Sequence, residues 1–144
     1  MTNLNITLEG HKALLAALED MSEEIELAVS EVVQETAAGI EAGVKLRMQQ
    51  SPATGRTYKR RGVAHRASAR GEAPAPDTGA LMGSVYHEMT GKLSAVAGSR
   101  LAYSAFLEFR TFKMAPRPAW VPETEQARNE FTRDIAAAIA RATQ

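Results

Sequence analysis

The chain has 144 residues, 44% of them hydrophobic, which predicts one compact domain spanning residues 1–144. Its 17 basic and 17 acidic residues cancel, and this balance argues against a generic binder of nucleic acid or of anionic membranes. Because the chain has no cysteine, disulfides, thiolate nucleophiles and sulfur-ligated metal sites are excluded.

The first third of the chain predicts one strand and two helices. Apolar and polar residues alternate from Leu4 to Leu8, as in a strand, and leucines at helical spacing predict a helix over residues 11–21. A second helix is predicted from Ser22 to about Gln49. Its apolar residues form one stripe that predicts a buried face: Ile25, Val29, Val32, Val33, Thr36, Ile40, Val44 and Met48. Two glycines in this helix indicate either close packing or fraying: Gly39 and Gly43.

Charge is unevenly distributed over the next part of the sequence. Residues 20–41 contain seven acids and no lysine or arginine, whereas residues 51–71 contain six basic residues and no acid. The molecule is therefore expected to be electrically two-sided. Such polarity suits charge-complementary contacts between copies, because patches of opposite sign steer association and set register. A solvated helix face beside a basic loop is the alternative interpretation.

Residues 51–76 predict a long projecting loop, because they are rich in small, polar, basic and helix-breaking residues. We expect this loop to be flexible in the isolated protein. Its basic residues suit contact with acidic helices of neighbouring subunits, contact with DNA, or plain solvation, and an aromatic residue among them can stack on a base. The candidates for a subunit interface or a DNA contact are Arg56, Tyr58, Lys59, Arg60, Arg61, Arg66 and Arg70.

A turn is predicted where the chain leaves this loop. Pro76 disfavours helix at the residue before it, and Asp77 or Thr78 can cap the backbone donors that follow. Gly79 tolerates backbone angles that are closed to other residues. These residues predict a loop that leads into a short helix or strand.

Beyond the turn, apolar residues at 85–89 and 93–98 flank a glycine-containing turn, which predicts a hairpin at the centre of a sheet. Aromatic residues at 103–109 fit a short helix as well as an irregular strand. Three prolines between 116 and 122 predict an extended connection, and apolar periodicity predicts a helix over 123–142. Together the elements predict an α+β fold, in which a long N-terminal helix and a C-terminal helix pack on a small, mainly antiparallel sheet.

No group of residues has the pattern of a catalytic or cofactor site. The three histidines are scattered without zinc-ligand spacing. Ser84 lacks the second glycine of the Gly-x-Ser-x-Gly elbow, and no glycine-rich loop ends in Gly-Lys-Ser/Thr. No apolar run approaches the ~18 to 20 residues that span a bilayer. The sequence therefore predicts no enzyme, no cofactor, no metal site and no contact with a membrane.

Three ordered segments carry a family resemblance. The first is Pro76-Asp77-Thr78-Gly79-Ala80-Leu81-Met82-Gly83-Ser84-Val85. The second is Ala97-Gly98-Ser99-Arg100-Leu101-Ala102-Tyr103-Ser104-Ala105-Phe106-Leu107-Glu108-Phe109-Arg110-Thr111, and the third is Met114-Ala115-Pro116-Arg117-Pro118-Ala119-Trp120-Val121-Pro122. In this order they resemble the tail-component and neck proteins of long-tailed, lambda-like bacteriophages, over about residues 8–142. The chain departs from the family pattern at Arg110, where the family usually has glycine, and at Ala119-Trp120, which replaces Phe-Leu.

The resemblance implies a virion structural protein of the neck, a head–tail joining or tail-completion (tail terminator-like) subunit. Such a subunit would form a homo-oligomeric ring between the portal complex of the capsid and the tail tube. Its partners would be other neck proteins and the tail tube, with possible non-specific contact with packaged DNA in the ring lumen. It would be located in the virion at the head–tail junction, and in the host cytoplasm during assembly. The alternative is a nucleic-acid-binding module that uses residues 56–70.

The residues that match the family motifs are Asp77, Thr78, Gly79, Leu81, Ser84, Tyr103, Glu108, Phe109, Arg117, Pro118 and Trp120. Of these, Glu108 and Arg117 are expected to form an ion pair that ties the sheet to the final helix. The aromatic residues Phe106, Phe109 and Trp120 are expected to anchor a core or an interface.

Overall fold

The computed structural model describes residues 5–7 and 23–144. Its elements in chain order are β1 (Asn5–Thr7), α1 (Glu23–Gln49), β2 (Thr57–Arg60), β3 (Val63–Arg66), α2 (Ala80–Ser84), β4 (Val85–Gly91), β5 (Ser94–Ser99), α3 (Tyr103–Phe109) and α4 (Trp120–Ala142). These elements form the α+β fold that the sequence predicts. The helix predicted over residues 11–21 lies outside the described residues.

The main sheet has three antiparallel strands in the order β1-β5-β4. The predicted hairpin is confirmed, since β4 pairs with β5 from Val85 opposite Ser99 to Gly91 opposite Ser94. The predicted N-terminal strand is also confirmed, because β1 pairs with the other edge of β5. Among the strands that the structure describes, β5 is therefore central and β4 lies at an edge.

Helix α1 packs against both the sheet and α4. The predicted apolar stripe is confirmed except at Thr36, which is partly buried and donates its hydroxyl to the carbonyl of Val32 at 2.7 Å. Two buried clusters lie along the helix. The first joins the N-terminal half of α1 to β5 and α4 through Val29, Val33, Ala95, Ile135 and Ala138. The second joins its C-terminal half to the start of α4 through Ile40, Val44, Met48, Ala97 and Trp120.

A glycine in α1 allows α4 to approach closely. A Cβ atom at Gly43 would lie 2.1 Å from a carboxylate oxygen of Glu123. That carboxylate accepts a hydrogen bond from Nε of Arg47 at 2.8 Å and lies 2.6 Å from its Nη2. Close packing is therefore the correct alternative for Gly43, whereas a Cβ atom at Gly39 would meet no atom within 4 Å.

Two predictions about connections are wrong. Residues 51–76 are not one long loop, because β2 and β3 form a hairpin within them. The extended connection also ends earlier than predicted, since α4 begins at Trp120 rather than at residue 123. Pro122 is compatible with this early start, because a residue in the first turn of a helix needs no intrahelical donor.

Candidate functional site

The basic residues between 56 and 66 lie on and beside an exposed hairpin, which we call the basic hairpin (Thr57–Arg66). Its strands pair in antiparallel register from Thr57 opposite Arg66 to Arg60 opposite Val63. The two loop residues, Arg61 and Gly62, have φ values of 50° and 82°. Positive φ at both positions is what a type I′ turn requires, and this turn matches the twist of the two strands.

The seven basic-segment candidates are all exposed, but they divide into two groups. Tyr58, Arg60 and Arg66 are engaged with other parts of the protein. For the other four, no described carboxylate lies within ion-pair distance: Arg56, Lys59, Arg61 and Arg70. These four cations are available to a partner of opposite charge.

Asp77 fixes the basic hairpin to the body of the protein. Its Oδ2 atom accepts hydrogen bonds from Arg60 Nη1 at 2.6 Å and from the hydroxyl of Tyr58 at 3.2 Å. Its Oδ1 atom lies 3.2 Å from Nδ1 of His65, whose ring stacks on Tyr58 at a centroid distance of 5.9 Å. The bond from Arg60 outweighs desolvation and lowers the pKa of Asp77, whereas desolvation and the bond to Asp77 raise the pKa of Tyr58. Asp77 therefore holds the hairpin, and of the two predicted capping residues it is Thr78 that accepts a backbone hydrogen bond from Ala80.

A second acid closes the base of the hairpin. Glu72 accepts backbone hydrogen bonds from Thr54 at 3.0 Å and Ala69 at 2.8 Å, and a further bond from the Thr54 hydroxyl. These bonds lower the pKa of Glu72. Opposite it, Nε of Arg66 donates to the carbonyl of Gly55 at 3.2 Å. The arginine therefore stabilises the hairpin base.

The Asp-Thr-Gly motif forms the entry to α2. Gly79 has a φ of 78°, the left-handed conformation that glycine adopts without strain. The hydroxyl of Thr78 accepts a hydrogen bond from the backbone of Ala80 at 3.3 Å. At the end of α2, the hydroxyl of Ser84 donates to the carbonyl of Leu81 at 2.6 Å and lies 2.7 Å from that of Ser99. These motif residues support the turn between the basic hairpin and the sheet.

Glu108 caps α4 and does not pair with Arg117. Its carboxylate accepts three backbone hydrogen bonds. One comes from Ala119, just before α4, at 2.8 Å, and the others come from Trp120 and Val121, the first residues of α4, at 3.0 Å and 2.7 Å. Arg117 instead directs Nη1 towards Met114 Sδ at 3.7 Å and donates its backbone N–H to the carbonyl of Leu107 at 2.7 Å. The expected ion pair is therefore wrong, because three unpaired backbone donors attract the carboxylate first. Pro118 precedes this capped end.

The aromatic residues predicted to anchor a core or an interface separate into buried and exposed groups. Trp120 is 1% exposed and lies in the second core cluster. Tyr103, Phe106 and Phe109 on α3 are 46%, 52% and 59% exposed, so a role in the core of this subunit is wrong for Phe106 and Phe109. Phe112, in the turn after α3, is fully exposed at 106%, and sequence analysis did not single it out.

The basic hairpin and α3 lie together near the C-terminal end of α1. A cavity of about 210 Å³ between them is lined by Tyr58 and His65 of the hairpin, by Tyr103 and Leu107 of α3, and by Met48 of α1. We call this region, with its four unpaired cations, the basic end of the molecule.

The unpaired acids lie towards the other end of α1. Glu26, in the N-terminal half of α1, pairs with Lys92 at 2.9 Å, and Glu41, in the C-terminal half, contacts Lys45 and His87. Burial raises the pKa of Glu41, but the hydrogen bonds and charge interactions with Lys45 and His87 together outweigh it and lower the pKa overall. Four other glutamates of the N-terminal half are exposed, and no described cation lies within ion-pair distance of them: Glu23, Glu24, Glu31 and Glu35. Further acids line a cleft of about 470 Å³ between α1 and α4, where Glu130 is exposed, Glu123 pairs with Arg47 and Asp134 pairs with Arg133.

Within residues 5–7 and 23–144, no group of three or more histidine, aspartate or glutamate side chains could hold a metal ion. No helix in that part of the chain is long and apolar enough to cross a membrane. No protein-family model, curated protein or solved structure matches the chain. The function is therefore argued from the surfaces of the molecule and from the order of its motifs.

Proposed function

We propose that this protein is a virion structural subunit of a phage neck, which joins head to tail or completes the tail by assembling into a ring. The observation that carries the proposal is the separation of unpaired charge along α1. Cations project from the basic hairpin, and exposed acids lie on the N-terminal half of α1 and, at Glu130, in the cleft beside α4. One end of a subunit is therefore complementary to the other end of the next.

Contacts between different surfaces of identical subunits are heterologous, and they close into a ring when the rotation between neighbours permits it. From Glu31 to Met48, where the basic end begins, α1 rises by about 25 Å at 1.5 Å per residue. The two charged regions are thus too far apart to neutralise each other within one subunit, because the Debye length is about 8 Å at physiological salt. The ordered phage motifs support a neck as the place of assembly.

The hairpin's own contacts favour subunit association over nucleic-acid binding. Tyr58, the aromatic residue that can stack on a base, is stacked on His65 and donates its hydroxyl to Asp77. Arg60 and Arg66 are also engaged, so only part of the predicted basic arm is free for phosphate. Binding to nucleic acid remains the competing outcome of the experiment below.

The test is the mass of the full-length protein in solution, measured by light scattering over a range of concentrations, alone and with purified tail tubes or portal-bearing heads. A discrete multiple of the 15.5 kDa subunit, alone or after one partner is added, is the expected result. Charge reversal on the hairpin, Arg61→Glu, should weaken association. The same reversal at Arg128, an exposed arginine of α4, is the matched control.

Two results would contradict the proposal. A subunit that stays monomeric with both partners would exclude ring assembly. Salt-dependent binding of a labelled DNA duplex, lost in Arg61→Glu and kept in Arg128→Glu, would support the nucleic-acid-binding module instead, because phosphate contacts release counterions.

A further inference from the structure

Helix α3 buries polar side chains and exposes aromatic ones, which is the reverse of what a surface helix does in a free monomer. Ser104 and Glu108, four residues apart, are buried at 3% and 5% exposure, whereas its aromatic residues point outward. A surface helix normally buries its apolar side and exposes its polar side. We call Tyr103, Phe106, Phe109 and Phe112 the aromatic patch.

The patch is large enough to mark an interaction site. At roughly 200 Å² per aromatic residue, the exposed fractions leave on the order of 500 Å² of aromatic surface open to solvent. This area is comparable to the largest apolar patch of a typical monomer, which is often functional. A stable protein interface buries roughly 800 Å² on each partner, so the patch would form the apolar centre of such an interface and not all of it.

The turn after α3 fixes the backbone that carries the most exposed of these side chains. Thr111 and Met114 exchange backbone hydrogen bonds at 3.1 Å and 3.4 Å, and the Thr111 hydroxyl accepts a bond from the N–H of Lys113 at 3.3 Å. Phe112 thus stands at the tip of a closed two-residue turn. Holding the backbone of a contact residue in place before binding lowers the entropy cost of association.

Charge indicates which kind of partner fits the patch. Residues 100–117 contain four basic residues and one acid, and that acid, Glu108, is buried at the α4 cap. Arg110 and Lys113, both exposed, lie beside the patch in sequence. A suitable partner is therefore an apolar group that is surrounded by carboxylates.

The N-terminal half of α1 presents such a group. Leu27 is 66% exposed. Residues three and four positions away lie next to it on the helix surface, and three of these are exposed glutamates: Glu23, Glu24 and Glu31. We call these four residues the acidic face. Leu27 lies 21 residues before Met48, about 30 Å along α1, so the patch cannot reach it within the same subunit.

We propose that the aromatic patch of one subunit docks on the acidic face of a second copy, with Phe112 packed against Leu27. This inference rests on the proposed self-assembly, and it identifies the apolar centre of the contact between neighbours. Arg110 and Lys113 of the first copy face Glu24 and Glu31 of the second. Each subunit has one patch and one acidic face, so the contact continues from copy to copy.

The absence of cysteine makes disulfide cross-linking a clean test. Lys113→Cys reports the tip of the patch and leaves Phe112 intact. This variant is mixed with a second variant, Gln34→Cys, and the mixture is oxidised. Residue 34 lies seven residues beyond Leu27 on the same face of α1. Gln49→Cys is the matched control, since it changes the same residue type at an exposed position of the same helix, about 22 Å further along.

We expect at least about tenfold more mixed dimer from Lys113→Cys with Gln34→Cys than with Gln49→Cys. Phe112→Ala should raise the concentration for half-maximal assembly at least about tenfold, as truncation of a buried aromatic anchor does. Leu46→Ala, at a leucine that is 50% exposed outside the acidic face, should not. Because Phe112 and Leu46 are exposed, both variants should melt like the parent protein.

The outcomes separate the two proposals. If light scattering shows assembly but the two cysteine pairs cross-link equally, the docking contact is wrong and ring assembly stands. If Phe112→Ala loses binding to tail tubes but self-associates normally, the patch binds another virion protein and the contact is again wrong. If light scattering shows no assembly, either alone or with tail tubes or portal-bearing heads, both proposals fail.

Discussion

Removing the carboxylate of Glu108 should strongly destabilise the protein, because this one side chain caps the start of α4. It accepts the backbone N–H groups of Ala119, Trp120 and Val121, and the first two of these bonds are buried. In Glu108→Ala, no side chain replaces the acceptor. Each buried donor left unpaired costs about 1–3 kcal/mol, and loss of a helix cap alone costs about 0.5–2 kcal/mol.

We therefore expect Glu108→Ala to lower the free energy of unfolding by about 3–5 kcal/mol, a large share of the roughly 5–15 kcal/mol of a typical domain. Glu108→Gln should cost less, about 1–2 kcal/mol. Its carbonyl oxygen can accept two of the N–H groups, but the negative charge that complements the helix dipole is lost. Glu125→Ala, an exposed site early in the same helix, should change stability by less than about 0.5 kcal/mol.

The measurement is urea unfolding followed by tryptophan fluorescence and far-ultraviolet circular dichroism. Trp120 is the only tryptophan, is 1% exposed, and donates its own backbone N–H to Glu108, so its emission reports the capped end directly. The dichroism reports all helices. A loss below about 1 kcal/mol in Glu108→Ala, or equal losses in Glu108→Ala and Glu125→Ala, would refute the capping argument.

Three further predictions concern single backbone or charge features. Arg110 has a φ of 78° and a ψ of 159°, a conformation that essentially only glycine adopts without strain. Arg110→Gly should therefore stabilise the protein by about 1–2 kcal/mol in thermal melts. An unchanged or lower melting temperature would contradict this prediction. Gly55→Ala should destabilise it, since the new Cβ atom would lie 2.6 Å from the carbonyl oxygen of Ser68, and a variant as stable as the parent would show that the hairpin base can move. The pKa of Asp77 is lowered in the folded protein, so its contribution to stability is present at neutral pH and is lost as the pH falls through this lowered value. Nuclear magnetic resonance signals of the basic hairpin should therefore shift in acid, and Asp77→Asn should remove that transition.

The parts of the fold that sequence predicts are those with a clear periodicity. The stripe along α1 and the spacing along α4 both have the period of a helix with one buried side, and each helix buries that side. Strand-favouring residues at 85–89 and 93–98 flank a glycine-containing turn, and they form the β4–β5 hairpin. In these segments, local pattern and burial require the same structure.

The basic hairpin could not be predicted in this way. Its side chains are exposed on both faces of the two strands, so burial imposes no alternation of apolar and polar residues. Its turn is Arg61-Gly62 rather than the Asn-Gly or Asp-Gly pairs that signal a type I′ turn. The acid that holds it, Asp77, comes 17 residues after Arg60, and nothing local to β2 or β3 indicates that contact.

The start of α4 shows the same limit. The prolines at 118 and 122 predict an extended chain, but the helix begins between them because Glu108 supplies an acceptor from 11 to 13 residues earlier. Sequence did identify Glu108 and Arg117 as residues of interest, because both lie in the segments that carry the resemblance. Their opposite charges predict an ion pair, whereas the backbone N–H groups at the start of α4 attract the Glu108 carboxylate more strongly.

The Glu108 cap and the exposed aromatic patch follow from one arrangement of α3. To reach the first turn of α4, the Glu108 side chain must point into the protein, and Ser104, one helical turn earlier, is buried on the same side. The residues at 103, 106 and 109 then occupy the remaining surface of the helix, and all three are aromatic. A sequence pattern alone places such aromatic residues inside, because burial is their usual state. Here the need to cap α4 turns them outward, and an exposed surface of this kind remains costly until a partner covers it.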